Sequence, residues 1–423
     1  MIHKEKNSAR SLSKNVLSPQ EGKGKGMGRA KMKRLQKMDS LKSYELLQMA
    51  KQLAKVATEV QETLENSFLR EQIIEVVEGF YDLGKVIDTF ELFGGYNNRS
   101  FRVVVEQHGV TKDYFLRKYK LGIGEKEILF EHAMIIHTMA NGFNLLASPI
   151  PCRDGSSFVS PAISKNKFAL YHFLAGEDKY TWDNPLMEES EHESAAEVMA
   201  LFHNASKGFE PHDFGRVEPG ILNLIDGMPQ LFASYTIPNR NTKFHDYFTT
   251  ALESILFLIK ANNLSGKDTE KMVQNPIHCD YHPGNLKFDD GKLVGVFDLD
   301  WAKVDFRLFD VCLALIYNSV DWGGSNDGRM DLEKCGLFLK CYQATLVEMK
   351  GLPPLNKVEM DNFPTMLAMA NFYLLSWEIS AYYSDSEKNE YEYLAYFKHS
   401  VRQMHWIESH KQEFAMVADS ARV

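Results

Sequence analysis

The chain reads as an α+β protein, with a β-rich stretch near residues 86–120 and a mostly helical second half. Three observations predict this. Short apolar runs separated by glycine turns fill residues 86–120. A polar loop at 278–285 is followed by an apolar hairpin that returns at Asp298. Beyond Asp298, apolar residues recur at helical spacing almost to the C-terminus. A chain of 423 residues can bury two or three domain-sized cores, and 44% hydrophobic with 25% charged residues is ordinary for a globular protein.

Charge is unevenly spread. Residues 1–37 hold eleven Lys or Arg against Glu5 and Glu21, a charge of +9, which leaves −18 on the rest of a chain whose net charge is −9. The tail reads as basic and disordered, and the acidic body argues against nucleic acid as a partner. Glu21-Gly22-Lys23-Gly24-Lys25-Gly26 is what a purine-rich ribosome-binding stretch would encode in frame, so translation is expected to begin at Met27 or Met38.

Residues 38–80 are expected to be helical. Leu41, Tyr44, Leu47, Leu53, Val56, Val60 and Leu64 give one long amphipathic helix, and a second runs from about Leu69 to Phe80. The apolar face of the first can cover the body of its own chain, near the β-rich part, or a second copy, which would make a homo-oligomer. Residues 81–173 carry the strands Phe90–Phe93, Phe101–Val105 and Tyr114–Tyr119, a helix at about 125–141, and a closing strand at Ala169–Gly176. Residues 174–416 should be mainly helical. Trp182-Asp183-Asn184-Pro185 supplies a helix start running to about Ser206, with Glu188, Glu189, Glu191 and Glu193 suiting the positive end of its dipole. Further helices are expected at roughly 308–319, 331–350, 357–382 and 389–416.

The chemistry lies in His278-Cys279-Asp280-Tyr281-His282-Pro283-Gly284-Asn285, within a loop region 278–300. The H-x-D-x-x-x-x-N spacing with a later Asp is that of protein-kinase catalytic and metal-binding elements. Leu286–Phe288, the turn Asp289–Lys292 and Leu293–Phe297 form a hairpin, so Asp298 should return beside Asn285. Mg²⁺ takes oxygen ligands, commonly one or two carboxylates plus phosphate oxygens. Asn285 and Asp298 meet that need, and Asp280 is placed to orient a hydroxyl and take its proton.

Together with Val296-Phe297-Asp298-Leu299-Asp300-Trp301-Ala302 and Arg307-Leu308-Phe309-Asp310-Val311, this loop resembles the aminoglycoside phosphotransferase and choline kinase-like superfamily. His282 and Asp298-Leu299-Asp300 depart from protein kinases in that direction. Gly94-Gly95-Tyr96-Asn97-Asn98, Leu116-Arg117 and Leu201-Phe202-His203-Asn204 are similar to the homoserine-kinase-like branch.

The resemblance implies a two-lobed protein-kinase-like fold with an N-terminal helical extension, ATP and Mg²⁺ as cofactors, and transfer of phosphate to a small-molecule hydroxyl. The acceptor would be an amino alcohol such as homoserine, or an aminoglycoside- or choline-like compound. It also implies a phosphate flap containing Gly95 and Asn97, Arg117 as the phosphate-pairing cation, and Glu131 as its acid partner. Lys118 and Glu127 are the alternatives for those last two roles. Asp310 is implied as a brace for the catalytic loop, and residues 169–176 as the hinge facing adenine. A protein Ser/Thr kinase and a non-catalytic nucleotide-binding regulator are the rival readings.

No apolar run reaches the roughly 18 residues of a membrane span, and no signal peptide is visible. The five cysteines, odd in number and without a C-x-x-C pair, suit reduced thiols in a cytoplasmic protein. By the same resemblance, Cys279 is a packing residue and not a nucleophile.

Overall fold

The computed structural model describes residues 44–49, 51–52, 68–92, 98–162, 164–237, 241–264, 266–384 and 389–423. The basic tail, most of the first expected helix, and Gly95 and Asn97 lie outside these residues.

The N-terminal lobe is built on one antiparallel sheet, in the order β1 (Lys85–Leu92), β2 (Arg99–Gln107), β3 (Val110–Lys118) and β4 (Phe168–His172). Alternation explains its two faces. Phe101, Val103 and Val105 of β2 are buried while Arg102 and Glu106 face solvent. The helix α1 (68–80) covers the buried face, packing Ile73, Val76 and Val77 against Phe101, Val103, Leu116 and Leu170. Helix α2 (Glu125–Ala140) follows β3 and turns Glu131, Met134 and Ile135 inward.

The second lobe contains α3 (Glu189–Ser206), α4 (Ile221–Thr236), α5 (Lys243–Ala261) and the single turn α6 (Gly266–Thr269). Next come β5 (Gln274–Ile277), β6 (Leu286–Asp289), β7 (Lys292–Val296) and β8 (Lys303–Phe306), then α7 (Arg307–Asn318), α8 (Leu332–Glu348), α9 (Lys357–Asp361), α10 (Phe363–Ser384), α11 (Glu390–Ser409) and α12 (Lys411–Ser420). β5 pairs with β8, and β6 with β7. Every residue of α7 is buried, so this helix is the axis around which the lobe packs. Arg307 at its start makes a buried two-point ion pair with Glu359, at 2.7 and 2.9 Å. Among the described residues, no helix is long and apolar enough to cross a membrane.

Several expectations need correction. Helix α3 starts at Glu189 instead of Trp182. Asp183 is taken up elsewhere, accepting hydrogen bonds from Thr181 and Lys51, and the cap is supplied by Glu188 with Glu191. The helix expected over 357–382 is two, because the chain breaks at Asn362 and restarts with Pro364 in the first turn of α10. The helix expected over 389–416 is also two, divided at His410. Residues 44–49 and 51–52 are helical, yet they lie on the second lobe and not against the sheet: Leu47 is buried with Ala395 and Tyr396.

Candidate active site

The catalytic loop is held from behind by one carboxylate. Asp310, fully buried in the first turn of α7, accepts hydrogen bonds from the backbone N–H of His278 at 2.9 Å and of Cys279 at 2.7 Å, and from His203 Nε2 at 3.0 Å. Tyr342 lies 2.8 Å from the other ring nitrogen of His203. The clamp sits at a backbone position most side chains avoid, since Cys279 has φ +63°. Asp280 is the residue that follows this turn. Burial acts against ionisation of Asp310, but the hydrogen bond and charge of His203 hold its carboxyl below the usual carboxylate range.

Asp280 and Asn285 meet on the loop. Asn285 Nδ2 donates to the Asp280 carbonyl at 2.9 Å and to its Oδ2 at 3.1 Å, and Oδ1 of Asn285 accepts no hydrogen bond among the described residues. A single 3-10 turn, Pro283–Asn285, presents this side chain, and His282 Nδ1 caps it by accepting from Gly284 N at 3.0 Å. Gly284 must be small, because a Cβ there would fall 2.9 Å from the His282 ring. Tyr317 donates to Asp280 Oδ1 at 3.4 Å, and His282 Nε2 lies 3.6 Å from Oδ2. Burial, reinforced by the charge of Asp298, pushes the Asp280 carboxyl up to about 8.

The hairpin closes the other side. Asp290 and Gly291 both have positive φ, 46° and 74°, as a two-residue type I′ turn requires. The return strand brings Phe297 N to Asn285 O at 3.1 Å, so Asp298 is the next residue along from that contact. Its Oδ1 lies 2.9 Å from Arg117 Nη2, while Arg117 Nη1 donates to Glu131 Oε1 at 3.0 Å. One guanidinium on β3 therefore joins α2 of the first lobe to the hairpin of the second. Burial opposes the charge of Arg117, yet Asp298 and Glu131 keep it firmly protonated. Burial likewise opposes ionisation of Asp298, but Arg117 holds that carboxyl below its ordinary value, and burial with the Asp298 charge pushes neighbouring Asp300 well above.

The alternatives to Arg117 and Glu131 point elsewhere. Lys118 Nζ faces away, 3.2 Å from Gln72 Oε1. Glu127 caps the start of α2 through Gly124 N at 3.2 Å and lies 3.7 Å from Arg216. Three contributors escaped sequence reasoning: Tyr317 against Asp280, His203 behind Asp310, and Asp300, which accepts from Asn98 Nδ2 at 2.7 Å. His203 and Asp300 carried a signal, as parts of the Leu201–Asn204 and Val296–Ala302 similarities, though no role was assigned to either.

The donor set suits a nucleotide with a divalent cation. Among the described residues no three His, Cys, Asp or Glu side chains form a closed metal cage; Mg²⁺ bound beside phosphates uses fewer protein ligands than that. Asn285 Oδ1 and Asp298 are the available oxygens, and Arg117 Nε is buried with no hydrogen-bond acceptor among the described residues, a donor that an oxyanion would satisfy.

This fold and site define a two-lobed kinase-like phosphotransferase. Residues 89–339 match the model of the phosphotransferase enzyme family, and the chain belongs to that family, as an enzyme of the small-molecule-kinase class. The homoserine kinase of Cupriavidus metallidurans is 25% identical over 292 residues, 68% of this chain and 80% of the relative. That of Methylobacillus flagellatus is 24% identical over 301 residues, 71% and 81% of the two chains. Among solved structures, a spectinomycin phosphotransferase in complex with ADP and spectinomycin superposes with a TM-score of 0.56 at 15% identity, covering 80% of this chain and 98% of that one. A microcompartment-associated aminopropanol kinase gives 0.55 at 15% identity, covering 79% and 95%.

Proposed function

We propose that the protein transfers the γ-phosphate of ATP, with Mg²⁺, to the hydroxyl of a small amino alcohol. Homoserine is the leading candidate, because the curated relatives that cover two thirds of this chain are homoserine kinases. The observation that supports the reading is that Asn285 bonds Asp280, that Phe297 N bonds Asn285 O one residue before Asp298, and that Arg117 pairs with both Asp298 and Glu131.

In this scheme Asp280 orients the acceptor hydroxyl and takes its proton as the oxygen–phosphorus bond forms and the bond to the β-phosphate bridging oxygen breaks. Arg117, held by two carboxylates, would offer phosphate oxygens its Nε–H, which has no partner among the described residues. Asn285 and Asp298 would hold the divalent ion, whose chemistry is to neutralise charge on the β- and γ-phosphates and to offset the Asp298 charge, which after burial is the next cause raising Asp280. Gly95 and Asn97 would cover the phosphates from the flap. No covalent enzyme intermediate is needed, so the rate comes from positioning and charge stabilisation.

The test is an assay with γ-labelled ATP and Mg²⁺ against homoserine, 1-amino-2-propanol, choline, methylthioribose, an aminoglycoside and a generic protein substrate. Label should move to one small hydroxyl compound. Transfer to the protein alone, or to water alone, would refute the assignment.

A further inference from the structure

The loop between α3 and α4, residues 207–220, carries a cation with no part in the transfer proposed above. The loop is anchored at both ends. Phe209 packs edge-on against the rings of Phe130 and His137 of α2, with centroids 5.5 Å apart in each case. Lys303 Nζ holds the far end through Glu218 Oε2 at 2.8 Å and Pro219 O at 3.3 Å. Arg216 lies between these anchors, its side chain only 10% exposed.

For a buried cation, Arg216 is poorly satisfied. Its Nη1 stands 3.7 Å from Glu127 Oε1, beyond hydrogen-bond reach, and the other oxygen of Glu127 accepts from Gly124 N. Its Nε is buried with no hydrogen-bond partner among the described residues, a costly state that an incoming acceptor would relieve. The guanidinium carbon lies 5.7 Å from the Trp301 ring centroid, and Lys120 Nζ is also 5.7 Å from that centroid. Two cations therefore gather on one indole, whose π-system attracts them but supplies no carboxylate or phosphate oxygen.

By the kinase reading, this is the phosphate end of the site. Trp301 follows Asp298 by three residues. Asn98 joins the two lobes here: its Oδ1 accepts from Lys120 N at 3.0 Å, and its Nδ2 donates to Asp300 Oδ2 at 2.7 Å. The Glu131 carboxyl, which burial raises, is held down by the charge of Arg117 and, less strongly, by that of Arg216. Arg216 is thus within electrostatic reach of the Arg117–Glu131 pair. From this arrangement we infer that Arg216 and Lys120, gathered on Trp301, form an oxyanion site beside Arg117, one that takes a carboxylate or phosphoryl oxygen of the reactants. The inference rests on the kinase reading and deepens it. A carboxylate held there makes the acceptor a hydroxy amino acid, and a phosphoryl oxygen held there adds a cation to the transfer step.

The experiment measures transfer from γ-labelled ATP by the full chain to homoserine, which bears a carboxylate, and to 1-amino-2-propanol, which does not. If the site holds the acceptor's carboxylate, Arg216→Gln raises KM for homoserine by about tenfold or more and leaves both constants for 1-amino-2-propanol at wild type. If it holds the transferring phosphoryl group, kcat falls by about tenfold or more with both acceptors while their KM values stay. Lys120→Gln, a change at an exposed position that leaves the fold intact, should repeat the pattern at about threefold. Glu127→Gln keeps an acceptor for Gly124 N and removes the ion pair, and it should leave all constants at wild type. Wild-type constants in Arg216→Gln would overturn the site. An equal change in Glu127→Gln would also overturn it, reducing Arg216 to a brace for α2. Wild-type constants in Lys120→Gln would overturn the two-cation arrangement even where Arg216→Gln fails to fold. A wild-type chain that phosphorylates no hydroxyl compound would sink the kinase reading alone. The oxyanion site is then judged by calorimetric titration of inorganic phosphate into wild type and Arg216→Gln. Binding weaker in the variant by about tenfold upholds the site, and equal binding overturns it.

Discussion

Replacing Asp310 with Asn should both destabilise the second lobe and slow turnover, for one reason. The two carboxylate oxygens receive three donors: His278 N and His203 Nε2 on one, Cys279 N on the other. An amide offers one oxygen and one NH₂, so whichever way it turns, a donor faces a donor in a fully buried site. Charge-assisted hydrogen bonds contribute about 1.5–3 kcal/mol each, and a buried unsatisfied group costs a further 1–3 kcal/mol. Loss of one or two of them gives a destabilisation of roughly 3–5 kcal/mol, or a fall in Tm of about 10 °C for a lobe of this size. Two of those donors hold the left-handed backbone at Cys279, and the next residue is Asp280. The same change should therefore reduce kcat by at least a hundredfold at temperatures where the variant is fully folded, with KM for ATP little altered. Urea melts and steady-state kinetics on one preparation measure both effects. A variant that melts within 2 °C of wild type and keeps its kcat would refute the clamp.

Two further outcomes follow from the same geometry. Cys279→Ala should keep turnover within about threefold: burial, against the opposing charge of Lys303, pushes the thiol up and keeps it protonated. Loss of activity in kinetic assay beyond a hundredfold would show a chemical role. Glu378 is buried with one oxygen accepting from Ser400 at 2.6 Å and the other without a hydrogen-bond partner among the described residues, and burial raises its carboxyl to about 8 against that hydrogen bond. The folded state thus keeps a proton that the unfolded chain has lost above about pH 4.5, so this residue's contribution to stability falls as pH rises from there to about 8 and is level beyond. Glu378→Gln should consequently gain stability over wild type across that window, by roughly 4–5 kcal/mol at pH 8. Melting curves at pH 5 and pH 8 with no difference in the gain would contradict it.

Which parts of this site the sequence made legible depends on how local their physics is. The hairpin was readable because Asp290-Gly291 marks a tight turn between two apolar runs, and a hairpin brings its ends together whatever surrounds it. The choice of Glu131 over Glu127 on helix α2 came from family similarity, and the helix turns Glu131 inward. The choice of Arg117 over Lys118 came from family similarity, and alternation along β3 accounts for their opposite directions. Contacts made only by tertiary closure, such as Tyr317 on Asp280 or Asn98 on Asp300, leave no trace in spacing. Helix α4 carries Gly227 and Pro229 inside it, which obscure the pattern. Helix α5 buries Phe244, Phe248, Ala251, Ile255 and Leu258, a helical spacing that is present in the sequence. The false start at Asp183-Asn184-Pro185 shows a local capping signal overridden, because Thr181 and Lys51 claim that carboxylate.

The most direct measurement is single-turnover transfer from γ-labelled ATP by Asp280→Ala, alongside ATP binding to the same protein by calorimetry. If Asp280 orients the hydroxyl and takes its proton, transfer falls at least a thousandfold while ATP affinity stays within a few-fold of wild type. Transfer at the wild-type rate, with binding intact, would contradict the assignment of this loop as the catalytic centre.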